Sequence, residues 1–262
     1  MFVGYDTALK RRAFGFKDMT TYYAGFNGTN QCYNNVNNTI EAGFAGVVES
    51  FYKGNFYLSA MVQGGGAGVR ERIANYASST YGMANGSVSL KTGYNIHLSK
   101  KTVLQVHGQA VYTLLQSTAY TNGQGVRIQP DLLSSLQIAP GLRLTKNIKG
   151  WQPYVEANIV MNPHHSAELK ANSFTITTPA LGNYFKYGFG LQTTTQHNVQ
   201  PYAQAMMRTG SRQGFALELG VKIPVGQKNR TTRLKKRDKI LFNGSSTIPV
   251  GRPNSLATKI TR

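Results

Sequence analysis

The chain has 262 residues, enough for one large domain, and only 15% of them are charged. Its 29 Lys and Arg exceed its 10 Asp and Glu, which gives a formal net charge of +19. The sequence has no run of 18 apolar residues, which excludes a transmembrane helix, and the single Cys32 excludes an internal disulfide bond.

Eleven β-strands are predicted in chain order, because apolar and polar residues alternate with a period of two along most of them. They span residues 1–6, 14–28, 40–52, 55–69, 80–98, 102–118, 132–146, 151–162, 184–196, 199–209 and 214–225. Several exceed the five or six residues usual in soluble sheets, and no amphipathic helix longer than about two turns interrupts them. The predicted fold is therefore all-β.

The last predicted strand, GFALELGVKIPV, is the most regular. Its apolar residues, such as Leu217 and Leu219, alternate with small or charged ones, such as Glu218 and Lys222, so one face is apolar and the other polar. At about 3.3 Å per residue it has roughly the length that a tilted strand needs to cross a bilayer. This favours an antiparallel transmembrane β-barrel.

Charged residues recur on the polar faces of the predicted strands. An unpaired charge in the dry core of a β-sandwich is costly, whereas a water-filled or ion-paired barrel interior accommodates it. The candidate lumen-lining residues are Lys91, Arg143, Glu156, Lys186, Arg208, Glu218 and Lys222. They either shape the passage of a substrate or only neutralise one another. Alternation does not say which face points inward, so a soluble barrel with an apolar core stays open.

The predicted connections alternate in length from residue 28 onward. The long ones are 29–39, 70–79, 119–131 and 163–183, and the short ones are 53–54, 99–101, 147–150 and 197–198; the last, 210–213, is short where a long one is due. Outer-membrane barrels have short periplasmic turns and longer extracellular loops. The pattern predicts that orientation here, with the last strand ending in the periplasm.

Several motifs occur in a recognisable order. They include YYAGFNGTNQCYN (22–34), SLKTGYN (89–95), WQPYVEAN (151–158), YGFGLQ (187–192) and VQPYAQAMMRTGSRQGFALELGVKI (199–223). In this order the chain resembles the C-terminal translocator, or β-domain, of autotransporters, the type V secretion proteins of bacterial outer membranes. The resemblance covers about residues 1–226.

The resemblance implies a barrel of about 12 strands that anchors and helps to export an N-terminal passenger polypeptide. It also implies outer-membrane assembly machinery as a folding partner. Eleven strands are predicted here, so we expect one further strand N-terminal to Met1. Its start, MFVGYD, shows no signal peptide, which is consistent with a truncated N-terminus.

The C-terminal segment differs from the rest. Residues 227–262 carry 10 Lys and Arg against the single acid Asp238 and have no sustained period, so we expect a basic, disordered tail after a barrel domain of residues 1–226. The cluster Arg233–Lys239 could bind nucleic acid or anionic lipid, but a solvated tail is favoured. We therefore do not expect nucleic acid to be a partner. We expect the chain to be a monomer surrounded by outer-membrane lipid.

No catalytic, cofactor or metal site is predicted. His164, His165 and Glu168 share the longest loop, but no second ligand pair occurs at metal-binding spacing. No G-x-S-x-G nucleophile elbow is present, and the Gly64–Gly66 run lacks the Lys and Ser or Thr of a P-loop. The chain is therefore not expected to be an enzyme. Two alternatives to export remain: a small outer-membrane pore or surface barrel, and a soluble β protein that binds nucleic acid.

Overall fold

The computed structural model describes residues 1–7, 10–11, 15–33, 35–166, 168–177, 182–193 and 199–223. The predicted tail and the end of the predicted last strand, Pro224 and Val225, lie outside the described residues. Within the described ranges no helix is long and apolar enough to cross a membrane.

The described residues form sixteen strands. They are β1 (Phe2–Asp6), β2 (Lys10–Arg11), β3 (Lys17–Tyr33), β4 (Val36–Lys53), β5 (Phe56–Ile73), β6 (Ser79–His97), β7 (Thr102–Ser117), β8 (Tyr120–Thr121), β9 (Arg127–Pro130), β10 (Leu133–Lys146), β11 (Trp151–Ser166), β12 (Glu168–Ala171), β13 (Phe174–Thr177), β14 (Tyr184–Thr193), β15 (Gln200–Gly210) and β16 (Gly214–Lys222). The all-β prediction is confirmed.

Eleven of these strands form one curled antiparallel sheet in the order β1-β3-β4-β5-β6-β7-β10-β11-β14-β15-β16, and β2 pairs with β3 beside that path. Each strand neighbours the next along this path, as in an up-and-down barrel. Among the described residues, the eleven strands of this path agree with the eleven that alternation predicts. The ladders between described residues run as an open path from β1 to β16.

One predicted loop is wrong. The segment 29–39 is not a long connection, because β3 continues to Tyr33 and β4 begins at Val36, with Cys32 opposite Asn37 in register. This end of the hairpin is rich in Asn and Thr on both faces, as expected for strands that project beyond the apolar layer into water. The polar composition of residues 29–39 predicts a loop, although the backbones of β3 and β4 remain paired there.

The large sheet is apolar on its outward face and polar on its inner face, which is the reverse of the arrangement in a soluble protein. Apolar side chains on the outward face are exposed, including Leu219 at 70% and Val62 at 60%, whereas Lys91 and Arg143 on the inner face are 6% and 8% exposed. An apolar exterior around a polar interior fits a bilayer as the surrounding solvent. This arrangement excludes the alternative of a soluble barrel with an apolar core.

Strand β4 departs from the predicted pattern of faces. Val48 is 3% exposed and packs with Tyr23 and Met61 on the inner face, where Phe44 joins them. Glu41, expected on the polar face with Gly43, instead lies on the outward face at the outer end of the strand. Both faces of β4 carry apolar residues, so the sequence could not fix their direction.

A second, smaller sheet lies in the connections at the outer end. Its order is β13-β12-β9-β8, and it joins the β7–β10 connection to the β11–β14 connection through the β9–β12 ladder, where Ile128 pairs with Ala171. The ring of Tyr120 in β8 stacks on that of Tyr81 in β6, with centroids 4.1 Å apart. The two longest connections are therefore tied to each other and to the large sheet.

Candidate functional site

All seven predicted lumen-lining residues lie on one face of the large sheet. Alternation along each strand places them opposite the exposed apolar residues, and each is buried or half-buried: Lys91 on β6, Arg143 on β10, Glu156 on β11, Lys186 on β14, Arg208 on β15, and Glu218 and Lys222 on β16. Five are basic and two acidic, so this set carries a formal charge of +3. The structure divides them into two neighbouring groups.

The first group surrounds Glu156. Its Oε1 accepts a hydrogen bond of 2.9 Å from Nδ2 of Asn158, and Oδ1 of Asn158 lies 2.8 Å from Nε2 of His107. Because an amide oxygen can only accept, Nε2 of His107 must donate. His107 also lies 3.8 Å from Glu156 itself. The register explains the chain of contacts, since Asn158 and His107 both pair with Gly141 of the strand between them.

Two basic side chains complete this group. Arg143 is opposite Glu156 in the β10–β11 ladder, and its guanidinium lies over the ring of Tyr154, with Cζ 3.6 Å from the ring centroid. Lys91 is attracted electrostatically by Glu156. A single carboxylate therefore lies among two basic side chains and an imidazole, in an electrostatic network that spans β6 to β11.

The second group lies beside the first on β14 to β16. Lys186 and Arg208 are opposite one another in register, so two like charges are neighbours on the inner face. Glu156 and Glu218 attract Lys186 from the two sides. The two acids of the predicted set thus lie where they reduce the repulsion between the five bases. Lys222, at the end of β16, is attracted by Asp6 at the end of β1.

Tyrosine rings on the inner face cover glycines of the adjacent strand. In four register pairs the ring occupies the space of a side chain: Tyr23 with Gly46, Tyr57 with Gly93, Tyr154 with Gly190, and Tyr202 with Gly220. A Cβ added at each of these glycines would come within 3.0 Å of ring atoms. Lying flat, Tyr23 donates to Gln63 (2.9 Å) and Tyr154 donates to Gln204 (2.8 Å), each one strand beyond the glycine.

Two members of the first group, His107 and Asn158, are not among the predicted lumen-lining residues. A signal for His107 exists, because Gln105, His107 and Gln109 alternate with apolar residues along β7. The histidine pair His164 and His165, for which no metal site was predicted, lies elsewhere, at the outer end of β11. There Nε2 of His164 lies 3.0 Å from Oγ of Ser134.

These features define a class of protein. An antiparallel sheet that curls around charged side chains and exposes apolar ones, with its two longest connections, β7–β10 and β11–β14, at the same end, is an outer-membrane β-barrel. Comparison with known proteins identifies a family within this class. The family model of the autotransporter β-domain matches residues 1–206, and the chain belongs to that family.

Three solved structures share the fold. The transport unit of the autotransporter AIDA-I from Escherichia coli has a TM-score of 0.68 at 19% identity, covering 85% of this chain and 80% of that one. The translocator domain of the autotransporter NalP from Neisseria meningitidis has a TM-score of 0.72 at 14% identity, covering 84% and 78%. The β domain of the Bordetella autotransporter BrkA has a TM-score of 0.66 at 14% identity, covering 84% and 87%. No curated protein sequence matches the chain.

The family match tests the predictions that were made from the order of the sequence motifs. The resemblance to autotransporter translocators is confirmed, and so is the bacterial outer membrane as the location. The chain is an outer-membrane translocator that serves a passenger polypeptide.

Proposed function

We propose that the seven charged residues line an aqueous lumen and that their uneven charge guides the exported passenger. The observation that supports this proposal is the burial of Lys91 and Arg143 on the inner face, beside Glu156. Five bases against two acids give the lumen a positive potential, which attracts acidic and polar segments of an extended chain and disfavours basic ones. In this proposal the domain acts as a conduit and not as an enzyme, and it uses no cofactor or metal.

The remaining parts of the proposal concern organisation and partners. The barrel domain comprises residues 1–226, and residues 227–262 form a separate basic segment. The barrel is a monomer in outer-membrane lipid and is folded by the outer-membrane assembly machinery. The proposal includes no nucleic-acid partner, because a solvated segment accounts for the basic cluster Arg233–Lys239.

Single-channel conductance in planar bilayers tests the lumen. Lys186→Ala and Arg208→Ala each remove one of the two basic side chains that are neighbours in the β14–β15 ladder. The double variant lowers the formal charge of the set from +3 to +1. We expect the cation-to-anion permeability ratio to rise by about twofold or more, because rings of charge control ion preference in pores.

The matched control is Lys170→Ala, since Lys170 lies in the outer sheet and not on the inner face. Unchanged conductance and ion preference in the double variant would remove the lumen-lining assignment. Export is tested separately, by protease accessibility of a peptide fused N-terminal to Met1 on intact cells. A conducting pore that leaves the peptide inaccessible would support the alternative of a small pore without a passenger.

A further inference from the structure

An apolar groove runs along the outward face of β15. Its floor is Ala203 and Ala205, and its walls include Phe189 and Leu191 on β14 and Leu217 on β16. The alanines end at Cβ, whereas their register neighbours are large, so the surface is one side chain lower along β15. The groove has a volume of about 540 Å³, within the range of roughly 300–1,000 Å³ typical of small-molecule sites.

Four lysines lie at the periplasmic end of this region. Lys100 and Lys101 belong to the turn between β6 and β7, and Lys146 and Lys149 to the hairpin end of β10 and β11. A backbone hydrogen bond of 2.7 Å, from the Asn147 N–H to the Lys101 carbonyl oxygen, holds the two turns together. All four lysines are exposed, and neither 98–102 nor 146–151 contains an acidic residue.

The groove and the lysine cluster, which comprises these four residues, are continuous. Lys146 and Thr102, opposite one another at the ends of β10 and β7, also line the groove. The groove therefore opens at its periplasmic end beside the cluster. Its apolar lining side chains, including Leu144, Val155 and Leu217, lie on the face that meets the hydrocarbon of the bilayer, where an acyl chain is the chemistry available to fill it.

We propose that the groove and the lysine cluster together bind one anionic phospholipid of the periplasmic leaflet. An acyl chain occupies the groove over Ala203 and Ala205, and the phosphate lies among the four lysines. Membrane-surface lysines attract anionic headgroups, and the adjoining groove adds apolar contact area that a flat barrel wall lacks. The lysine cluster has no acidic residue of its own to compete with the phosphate.

A second copy of the chain fits this surface less well than a lipid. A two-fold interface centred on the groove brings the same patch of both copies together, so eight lysines would meet across it. Like charges in such an interface repel, whereas a phosphate neutralises them. Charge complementarity thus selects the lipid as the occupant.

The only tryptophan of the chain reports directly on the site. Trp151 is 46% exposed on the outward face, follows Lys149 and Gly150, and lies beside Pro153, which lines the groove. Brominated acyl chains quench tryptophan fluorescence on contact. The experiment reconstitutes the full chain in phosphatidylcholine vesicles and titrates dibrominated phosphatidylglycerol or dibrominated phosphatidylcholine at equal mole fraction.

We expect phosphatidylglycerol to be preferred by about fivefold or more, the ratio that corresponds to about 1 kcal/mol, which is typical of one lysine near an anionic surface. Lys146→Gln with Lys149→Gln should reduce the preference to below about twofold. Lys10→Gln with Lys53→Gln, at other periplasmic positions, should leave it unchanged. All variants retain the charges C-terminal to residue 223, so any difference arises from the substituted lysines.

The acyl chain is tested by filling the groove. Ala203→Leu with Ala205→Leu should lower quenching by phosphatidylglycerol at least about twofold, because the larger side chains occupy its volume. Ala45→Leu with Ala60→Leu, both exposed on the outward face of β4 and β5, is the matched control. A heat-dependent shift in gel mobility shows that each variant has folded.

Equal quenching by the two lipids would overturn the proposal, as would a preference that survives in the Lys146 and Lys149 variant. Weak quenching by both lipids, with a dimer in native mass spectrometry, would assign the surface to a second copy instead. None of these results depends on passenger export, so the lipid site and the proposed function can fail independently.

Discussion

The phenol ring of Tyr154 covers Gly190, its partner in the β11–β14 ladder, and reaches Gln204 on the next strand. Backbone hydrogen bonds join β11 to β14 at this position, and the side chain of Tyr154 extends the connection to β15. Tyr23, Tyr57 and Tyr202 cover glycines in the same way. Neighbouring strands are therefore held together on the inner face by side-chain contacts as well as by backbone hydrogen bonds.

Gly190→Ala should destabilise the barrel by about 1–3 kcal/mol, because the new methyl group overlaps the Tyr154 ring and the ring must move. Urea-dependent unfolding from vesicles, followed by the fluorescence of Trp151, measures the change. Gly108→Ala is the control, since Gly108 is also within a strand but has open space beside it. Equal losses in the two variants would mean that the strand backbone, and not the ring, requires glycine.

Removal of the Glu156 carboxylate, at the centre of the electrostatic network, should leave the neighbouring basic side chains uncompensated. We expect Glu156→Gln to cost about 1–3 kcal/mol, and the additional change Lys91→Met to recover part of the loss. Unfolding of the four proteins of this double-mutant cycle gives the coupling energy between the two side chains. Glu168→Gln, exposed in the outer sheet, is the control. Additive losses would show that Lys91 and Glu156 do not interact.

The hairpin between β10 and β11 contains a residue in an unfavourable conformation. Lys149 has φ of 51° and precedes Gly150 at 92°, as a two-residue type I′ turn requires, and Ile148 and Trp151 exchange backbone hydrogen bonds around them. Lys149→Asn should therefore raise the free energy of unfolding by about 0.5–1 kcal/mol, since Asn tolerates positive φ. The same variant should weaken the preference for anionic lipid. Lys146→Asn removes the same charge at a position outside the two central turn residues. A higher free energy of unfolding in this variant would contradict the explanation by positive φ.

The outer end of the barrel should respond to acid through His165. This residue is the fifteenth of β11, beyond the roughly 10 residues that cross the bilayer from Trp151. Burial, followed by the positive charges of Arg212 and His164, lowers the pKa of the His165 imidazole. A lowered pKa means that the neutral form stabilises the folded state. That stability is present above the ordinary histidine pKa and is lost as the pH falls through the lowered value.

Arg212→Ala should raise the pKa of His165 towards its ordinary value, whereas Arg127→Ala in the outer sheet should leave it unchanged. Histidine-labelled protein, with the signal assigned by His165→Asn, allows the titration to be followed by NMR. An Arg212 variant whose His165 titrates as in the parent chain would contradict this account.

The sequence predicted the fold well where alternation is strong, as in β16, since four large apolar residues on one face leave a single choice of orientation. It failed in β4, where Phe44 and Val48 alternate with Ala45 and Val47 and either face is apolar enough to meet lipid. The outer end of β3 and β4 was missed for a related reason. Strands that project into water need only backbone pairing, and their side chains carry no alternating signal.

The candidate site was predicted as a set of charges but not as a network. The contacts of His107 with Asn158 depend on the register of three strands, which alternation along one strand does not contain. The tyrosine–glycine pairs have the same origin. Both residue types were visible in the sequence, but the pairing of Tyr57 with Gly93, for example, follows only from the β5–β6 ladder.

The small sheet at the outer end has a consequence for the direction of membrane insertion. Its β9–β12 ladder joins segments that are about 40 residues apart, on either side of the β10–β11 hairpin, so both must reach the cell surface before it can form. Once formed, it is a hydrogen-bonded body that cannot re-enter hydrocarbon as separate loops without unsatisfied backbone groups. The outer sheet therefore opposes withdrawal of β10 and β11 through the bilayer, because its paired backbone groups would first have to separate.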